Sequence, residues 1–256
     1  MKNLTVTTGD IIALGNHYLL CGDCRDHALV ARLLKGHQIS QILTDPPYGI
    51  SYVENKAFFT KGKVKHAPIE NDQIQGEKEY RVFTAAWLLA ARSFLARENS
   101  VYIFGADQKL FAVRGGMENA GFHFGQMLFW LKTSSVLGRL DYLPSHELIF
   151  YGWYKKHVFR KSKDQSILVC PKPQRSPLHS TMKPVSLLRR LILNNTKIGD
   201  VIYDPFLGSG SCILAAEQTK RRCIAVEISP DYCRVAAERF RKLTGIEPKV
   251  LSHLKP

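Results

Sequence analysis

Seven short runs of β-forming residues alternate with six stretches of helical pattern along this chain. The runs are Tyr18–Leu20, Gln41–Thr44, Val101–Phe104, Gln126–Leu131, Glu147–Tyr151, Val201–Tyr203 and Cys223–Val226. The helical stretches lie near 27–36, 79–97, 107–119, 184–195, 210–219 and 230–243. Alternation of this kind needs crossover connections, so it predicts an α/β fold with a mainly parallel sheet and helices on both faces. The sharpest boundary is at the last helix, where Ser229 is placed to cap, Pro230 opens the helix and Asp231 follows in the first turn. No repeat or low-complexity tract interrupts the 256 residues, which are read as a single domain.

Two strand ends carry unusual chemistry. The run Ile42-Leu43 leads into Asp45-Pro46-Pro47-Tyr48, followed by Gly49. Prolines fix their own φ and donate no hydrogen bond, so their carbonyls stay available as acceptors. A carboxylate, such carbonyls and an aromatic face suit a flat heterocycle bearing an amino group. The run Val201–Tyr203 leads into Asp204-Pro205-Phe206-Leu207-Gly208-Ser209-Gly210, which opens a helix. Glycines there permit a tight turn and close approach of backbone to a ligand. Glu227 ends the next apolar run, 17 residues after Gly210. Strand, Gly-rich turn, helix, strand and acid form a nucleoside-binding layout, with the carboxylate on the ribose hydroxyls. No Lys-Ser/Thr follows the turn, which argues against a triphosphate loop.

The formal net charge is +14, which favours a polyanionic partner. Two stretches outside the strand–helix alternation carry clusters of basic residues. Residues 51–78 contain Phe58-Phe59, then Lys61, Lys63, Lys65 and His66, and residues 155–178 contain Lys155, Lys156, Arg160, Lys161 and Lys163. These lysines and Arg160 are expected to contact nucleic-acid phosphates. Of six cysteines only Cys21 and Cys24 form a close pair, so no four-ligand zinc site or other metal site is expected, and the thiols read as buried and reduced. There is no basic-then-apolar leader and no apolar run of about 18 residues. The expectation is a cytoplasmic enzyme with no membrane span.

With both motifs on the page, the chain resembles the S-adenosylmethionine-dependent DNA amino-methyltransferases. Asp-Pro-Pro-Tyr comes first and the Gly-rich turn about 160 residues later, an order similar to the permuted β class. The resemblance runs from about residue 8 to about 243. It implies a Rossmann-like class I fold with a mostly parallel seven-stranded sheet and circularly permuted motif order. It further implies that Asp23, in the segment Leu20–Cys24, meets the cofactor's adenine, with Cys24 beside it in the cofactor site. Asp204, Phe206, Gly208, Ser209, Gly210 and Glu227 would form the rest of the cofactor site, and Asp45 would border it. Ile69-Glu70-Asn71-Asp72 resembles a segment that follows the catalytic loop. His179-Ser180-Thr181-Met182-Lys183-Pro184 resembles an element beside the cofactor's methionine part, which places Thr181 and Lys183 there; Ser180 replaces the family's proline.

The chemistry needs such groups because the lone pair of an exocyclic amine is delocalised into its ring. The Asp45 carboxylate and the Pro46 carbonyl would each accept one N–H, favouring a tetrahedral nitrogen and stabilising its developing charge. Asp45 could also take the leaving proton. Pro47 would stiffen the loop and Tyr48 would stack on the base. The target must flip from double-stranded DNA to reach them. The acid in Asp-Pro-Pro-Tyr favours adenine N6 within the resembling family. Alternatives are the cytosine N4, an RNA base, a protein glutamine, or a catalytically silent nucleic-acid-binding partner of the same fold. The resemblance also brings a homodimer or a second methylase subunit into view, and it makes 155–178 a short candidate for target recognition.

Overall fold

Strands buried on both faces build the centre of the molecule. The computed structural model describes residues 4–49, 73, 76–133, 141–161, 163–172 and 182–253. Among these, eleven strands occur: β1 Asp10–Leu14, β2 His17–Cys21, β3 Ile39–Thr44, β4 Leu95–Gly105, β5 His123–Leu131, β6 His146–Trp153, β7 Lys156–His157, β8 Ile167–Val169, β9 Val201–Asp204, β10 Arg222–Glu227 and β11 Lys249–His253. Six α-helices accompany them: α1 His27–Leu34, α2 Glu77–Arg92, α3 Leu110–Asn119, α4 Val185–Asn195, α5 Ser211–Gln218 and α6 Pro230–Thr244.

The strand order is β11-β1-β2-β10-β9-β3-β4-β6-β5-β8, with β7 paired to β4 outside this path. Its middle seven, β2-β10-β9-β3-β4-β6-β5, are the expected seven-stranded sheet. Strands β2, β10, β9, β3 and β4 run parallel, and β6 lies antiparallel between β4 and β5. The edge strands β1, β11 and β8, with β7, are additional to the expectation. Alternate residues feed two cores. Ile42, Val101 and Ile103 join Leu33, Trp87 and Val113 of α1–α3 on one face. Leu43, Tyr102 and Phe104 join Leu191, Ile213 and Phe240 of α4–α6 on the other.

Two expectations shift. The helix expected over 79–97 ends at Arg92, and Leu95–Arg97 open β4 instead. Their composition is helix-compatible, but Leu95 pairs with Ile39 of β3, so sheet pairing overrides local propensity. The region 155–178, expected to lie outside the strand pattern, contributes β7 and β8. The start of α6 is as expected: the Ser229 hydroxyl accepts from the Tyr232 N–H at 3.4 Å, and Gly245 closes the helix at φ 75°.

From β9 the chain passes through α5 to β10 on one side, and from β3 through α2 to β4 on the other. The reversal of direction opens a crevice beyond the carboxyl ends of adjacent strands β9 and β3, where open α/β sheets bind ligands. No described helix is long and apolar enough to cross a membrane.

Candidate active site

Parallel pairing brings the carboxyl ends of β2, β10, β9 and β3 to one edge, and with them Asp23, Glu227, Asp204 and Asp45 in that order. At the β10 end, Glu227 is buried. Its Oε2 accepts the Gly208 N–H at 2.7 Å and its Oε1 accepts the Ser229 N–H at 2.9 Å. The Gly22 N–H donates to the Glu227 carbonyl at 2.9 Å, tying the Gly-Asp bend to the same strand end. Beyond that bend, Arg25 engages both oxygens of Asp23, at 2.6 to 3.1 Å. Cys24 is buried, and burial pushes its thiol well up. All six cysteines are free and buried.

The Gly-rich turn is held from behind. Arg239 of α6 donates to the Ser209 carbonyl at 2.5 Å and to its hydroxyl at 2.9 Å. Ser209 is therefore a buried strut of the turn. Gly210 has φ 91°, and a Cβ there would lie 2.9 Å from the Ala236 Cβ, so only glycine lets α5 start against α6. Phe206 packs on Phe83 and Trp87 at centroid separations of 5.7 and 5.6 Å and remains half-buried. Arg25 lies 5.8 Å over the Phe83 ring.

Between the two motifs stands Asp204, 5% exposed. Its Oδ1 accepts from the Thr44 hydroxyl at 2.7 Å and from the Phe206 N–H at 3.1 Å. Burial outweighs both bonds and pushes its carboxyl up to about 7. Among the described residues no lysine or arginine pairs with it.

The Asp45 end is the most densely charged part of the site. The Tyr48 hydroxyl donates to Asp45 Oδ1 at 2.8 Å, and the Lys183 ammonium donates to Oδ2. The same ammonium lies 3.2 Å from Glu147 Oε2, whose Oε1 pairs with Lys132 at 2.9 Å. Burial alone would raise Glu147, but Lys183 and Lys132 hold it at about 2. Burial raises Asp45 above the usual carboxylate range, with Lys183 opposing. Burial opposes the charge on Lys183, yet Asp45 and Glu147 keep its ammonium above the ordinary lysine value. Tyr80 donates to the Pro47 carbonyl at 2.7 Å and fixes the loop. No described residue donates to the Pro46 carbonyl.

Lys183, expected beside the cofactor's methionine part, is placed at Asp45, which was expected to border the same site. The approach to α4 aims it at Asp45, and its ammonium lies 5.6 and 5.2 Å from the Tyr48 and Phe104 ring centres. Glu147, Lys132, Phe83, Trp87 and Arg239 were not anticipated. For Glu147 the available signal was a charged residue near the start of an otherwise apolar strand.

The basic residues of 155–163 are not brought to this edge. Lys156 pairs with Glu98 at 2.6 Å, and β7 joins β4 at Glu98 and Asn99. From Asn99, β4 runs on to Gly105 at the catalytic edge, about 20 Å away at the usual strand rise. Arg160 lies 3.8 Å from Glu98, and the Arg160 and Lys161 N–H groups bind the Asn194 carbonyl at the distant end of α4. Lys155 is exposed and lies 5.4 Å over the Tyr154 ring, and Lys163 is exposed beside Asp164. Thr181, Lys61, Lys63 and Lys65 lie outside the described residues, as do His66, Phe58-Phe59, Ile69–Asp72, His179 and Ser180. Among the described residues no group of three His, Cys, Asp or Glu could hold a metal ion.

A seven-stranded α/β core with a Gly-rich turn on one side of the switch point and an Asp-Pro-Pro-Tyr loop on the other has the class I methyltransferase architecture. Comparison with known proteins supplies the family. Residues 39–238 match the N6/N4 methyltransferase model, described as DNA methylase, so the chain belongs to the DNA methylase family. It is 28% identical to the type II methyltransferase M.HinfI of Haemophilus influenzae over 249 residues, 88% of this chain and 68% of that protein. It is 26% identical to M2.DpnII of Streptococcus pneumoniae over 81% of this chain and 84% of that one. Among solved structures, the M1.HpyAVI–SAM complex superposes with a TM-score of 0.63 at 20% identity, covering 86% of this chain and 98% of the other. The cytosine-N4-specific PvuII DNA methyltransferase gives 0.68 at 18% identity, covering 89% and 86%. The protein is an S-adenosylmethionine-dependent DNA methyltransferase.

Proposed function

We propose that the chain methylates the exocyclic N6 of adenine, flipped from double-stranded DNA into the pocket at Asp45. The observation that carries this reading is the Asp45 carboxylate at the tip of β3, beside a proline carbonyl to which no described residue donates. S-adenosylmethionine, when bound, supplies a methyl group on a sulfonium. The residues at the neighbouring strand ends suit that cationic nucleoside. Glu227 sits where a ribose would be held, and Asp204 is a buried carboxylate that an added positive charge would allow to ionise.

The acceptor side follows from the same geometry. Both Asp45 oxygens are engaged, by Tyr48 and Lys183, so an entering amine shares the carboxylate with them or takes the place of one. Asp45 and the Pro46 carbonyl then each accept an N–H and draw the nitrogen lone pair out of conjugation. After transfer the proton leaves to Asp45, directly or through water. Tyr48 stacks on the base. Its phenol is held neutral, burial pushing it well above its usual range.

Phosphate contacts are assigned to Lys61, Lys63 and Lys65, which follow the catalytic loop in the chain. A second methylase copy or subunit would supply recognition that a short segment lacks. The test is D45N, which keeps shape and removes charge. Methyl transfer to DNA should fall by about 100-fold or more while cofactor affinity stays within about threefold. Transfer near the wild-type rate would sink the assignment.

A further inference from the structure

The charged cluster behind Asp45 is larger than the proposed chemistry uses. Two carboxylates and two ammoniums alternate across four parts of the chain: Asp45 after β3, Lys183 before α4, Glu147 on β6 and Lys132 after β5. The side chains of Lys132 and Lys183 are 6% and 7% exposed, too buried for ordinary solvated surface pairs. The cluster is neutral as a whole. It is built by pairing between strands: Glu147 faces Trp130 across β5 and β6, and the Lys132 N–H binds the Ser145 carbonyl at 2.8 Å, setting Lys132 beside Glu147.

The geometry poses a problem that Glu147 resolves. With Lys183 on one Asp45 oxygen and Tyr48 on the other, the target amine competes with both for the remaining lone pairs of a buried carboxylate. Moving Lys183 into apolar surroundings would leave an unpaired buried charge, at high cost. A second carboxylate already stands 3.2 Å from the same ammonium, and its other oxygen is anchored by Lys132. Lys183 can therefore pass from shared to wholly Glu147-bound without losing a counter-ion.

We propose that Glu147 is a positioning residue for methyl transfer, receiving the Lys183 ammonium when the target amine takes its place on Asp45. Lys132 holds Glu147 ionised and oriented for that exchange. The inference rests on the reading of Asp45 as the amine acceptor. Glu147 acts through Lys183 and touches neither substrate nor the reacting methyl group.

The groups facing the pair are the Tyr48 hydroxyl, 3.2 Å from Glu147, with Lys132 and Lys183, and Asp204 senses Asp45 from β9. Glu147 is held at about 2 and stays ionised through the working range, so of these carboxylates Asp45 and Asp204, both raised, shape the acid limb. Removing its negative charge removes a repulsion that raises Asp45. The acid limb of the rate profile should therefore move to lower pH in E147Q.

The test is single-turnover methyl transfer to DNA with saturating S-adenosylmethionine, from pH 5 to 9, on wild type, E147Q, E147D, K132M and E147Q/K132M. E147Q keeps the size of the side chain and removes its charge. The expected result is a rate about 10- to 100-fold lower, an acid limb shifted downward, and cofactor affinity within about threefold of wild type. E147D should recover part of the rate, and E147Q/K132M should cost no more than E147Q alone. An E147Q rate within about threefold of wild type with an unmoved acid limb would overturn the proposal. So would a loss confined to cofactor affinity, or one that follows the thermal midpoint across the variants. If D45N itself transfers normally, the reading of Asp45 has failed, a result distinct from failure at Glu147.

Discussion

Replacing Asp204 with Asn removes one charge from the buried end of β9 and leaves its shape almost unchanged. Asn retains the Oδ1 that accepts from Thr44 and Phe206. In the wild type the Asp204 carboxyl is raised from 3.8 to about 7. Between those values the folded protein holds a proton that the unfolded chain releases, so stability falls as pH rises. Each pH unit is worth about 1.4 kcal/mol, so the whole interval gives an upper bound of roughly 4 kcal/mol and the span from pH 5 to 7 about 3. Asn has no such term. Urea unfolding of the cofactor-free proteins at pH 5 to 8.5 should therefore show wild-type stability, relative to D204N, declining to about pH 7 and level above it. Cofactor affinity should show the opposite trend, rising through about pH 7 in wild type and staying flat in D204N, because the ionised carboxylate is the form that attracts a cation. A stability difference that does not change with pH would refute the assignment of a strained, proton-holding carboxylate.

Two further substitutions probe the cofactor side. G210A places a Cβ 2.9 Å from the Ala236 Cβ and 3.0 Å from its Cα at a φ of 91°. The left-handed backbone costs about 1–2 kcal/mol and overpacking about 1–3, so the urea midpoint should fall by the equivalent of about 2–5 kcal/mol. An unchanged midpoint would contradict the tight α5–α6 contact. E227Q turns an amide NH2 toward either the Gly208 or the Ser229 N–H, both of which need an acceptor. Cofactor affinity measured by titration should weaken about tenfold or more, and an unchanged value would contradict the ribose role.

The catalytic edge was legible because its signals are local. Asp45, Asp204 and Glu227 each end a short apolar run, and parallel strands place such ends together without further information. The Gly-rich turn was legible for the same reason, since the need for glycine at 208 and 210 arises within a few residues. The edge pair β1 and β11 was not, because its partners are more than 230 residues apart and each strand is short. Glu147 and Lys132 were not, because their meeting with Lys183 depends on the antiparallel register of β5 and β6. The pairing of Lys183 with Asp45 and Glu147 was not legible either, because a pair of buried carboxylates from distant parts of the chain decides where a buried ammonium settles. The basic residues of 155–163 were read from charge alone. Charge does not reveal that β7 ties them to the far end of β4, or that Glu98 takes two of them.

The identity of the methylated atom tests the account most directly. Double-stranded DNA incubated with the protein and methyl-labelled S-adenosylmethionine, then digested to nucleosides, should carry its label on N6-methyladenine, with D45N giving none above background. Label on N4-methylcytosine alone would contradict the reading of Asp45 as an adenine acceptor.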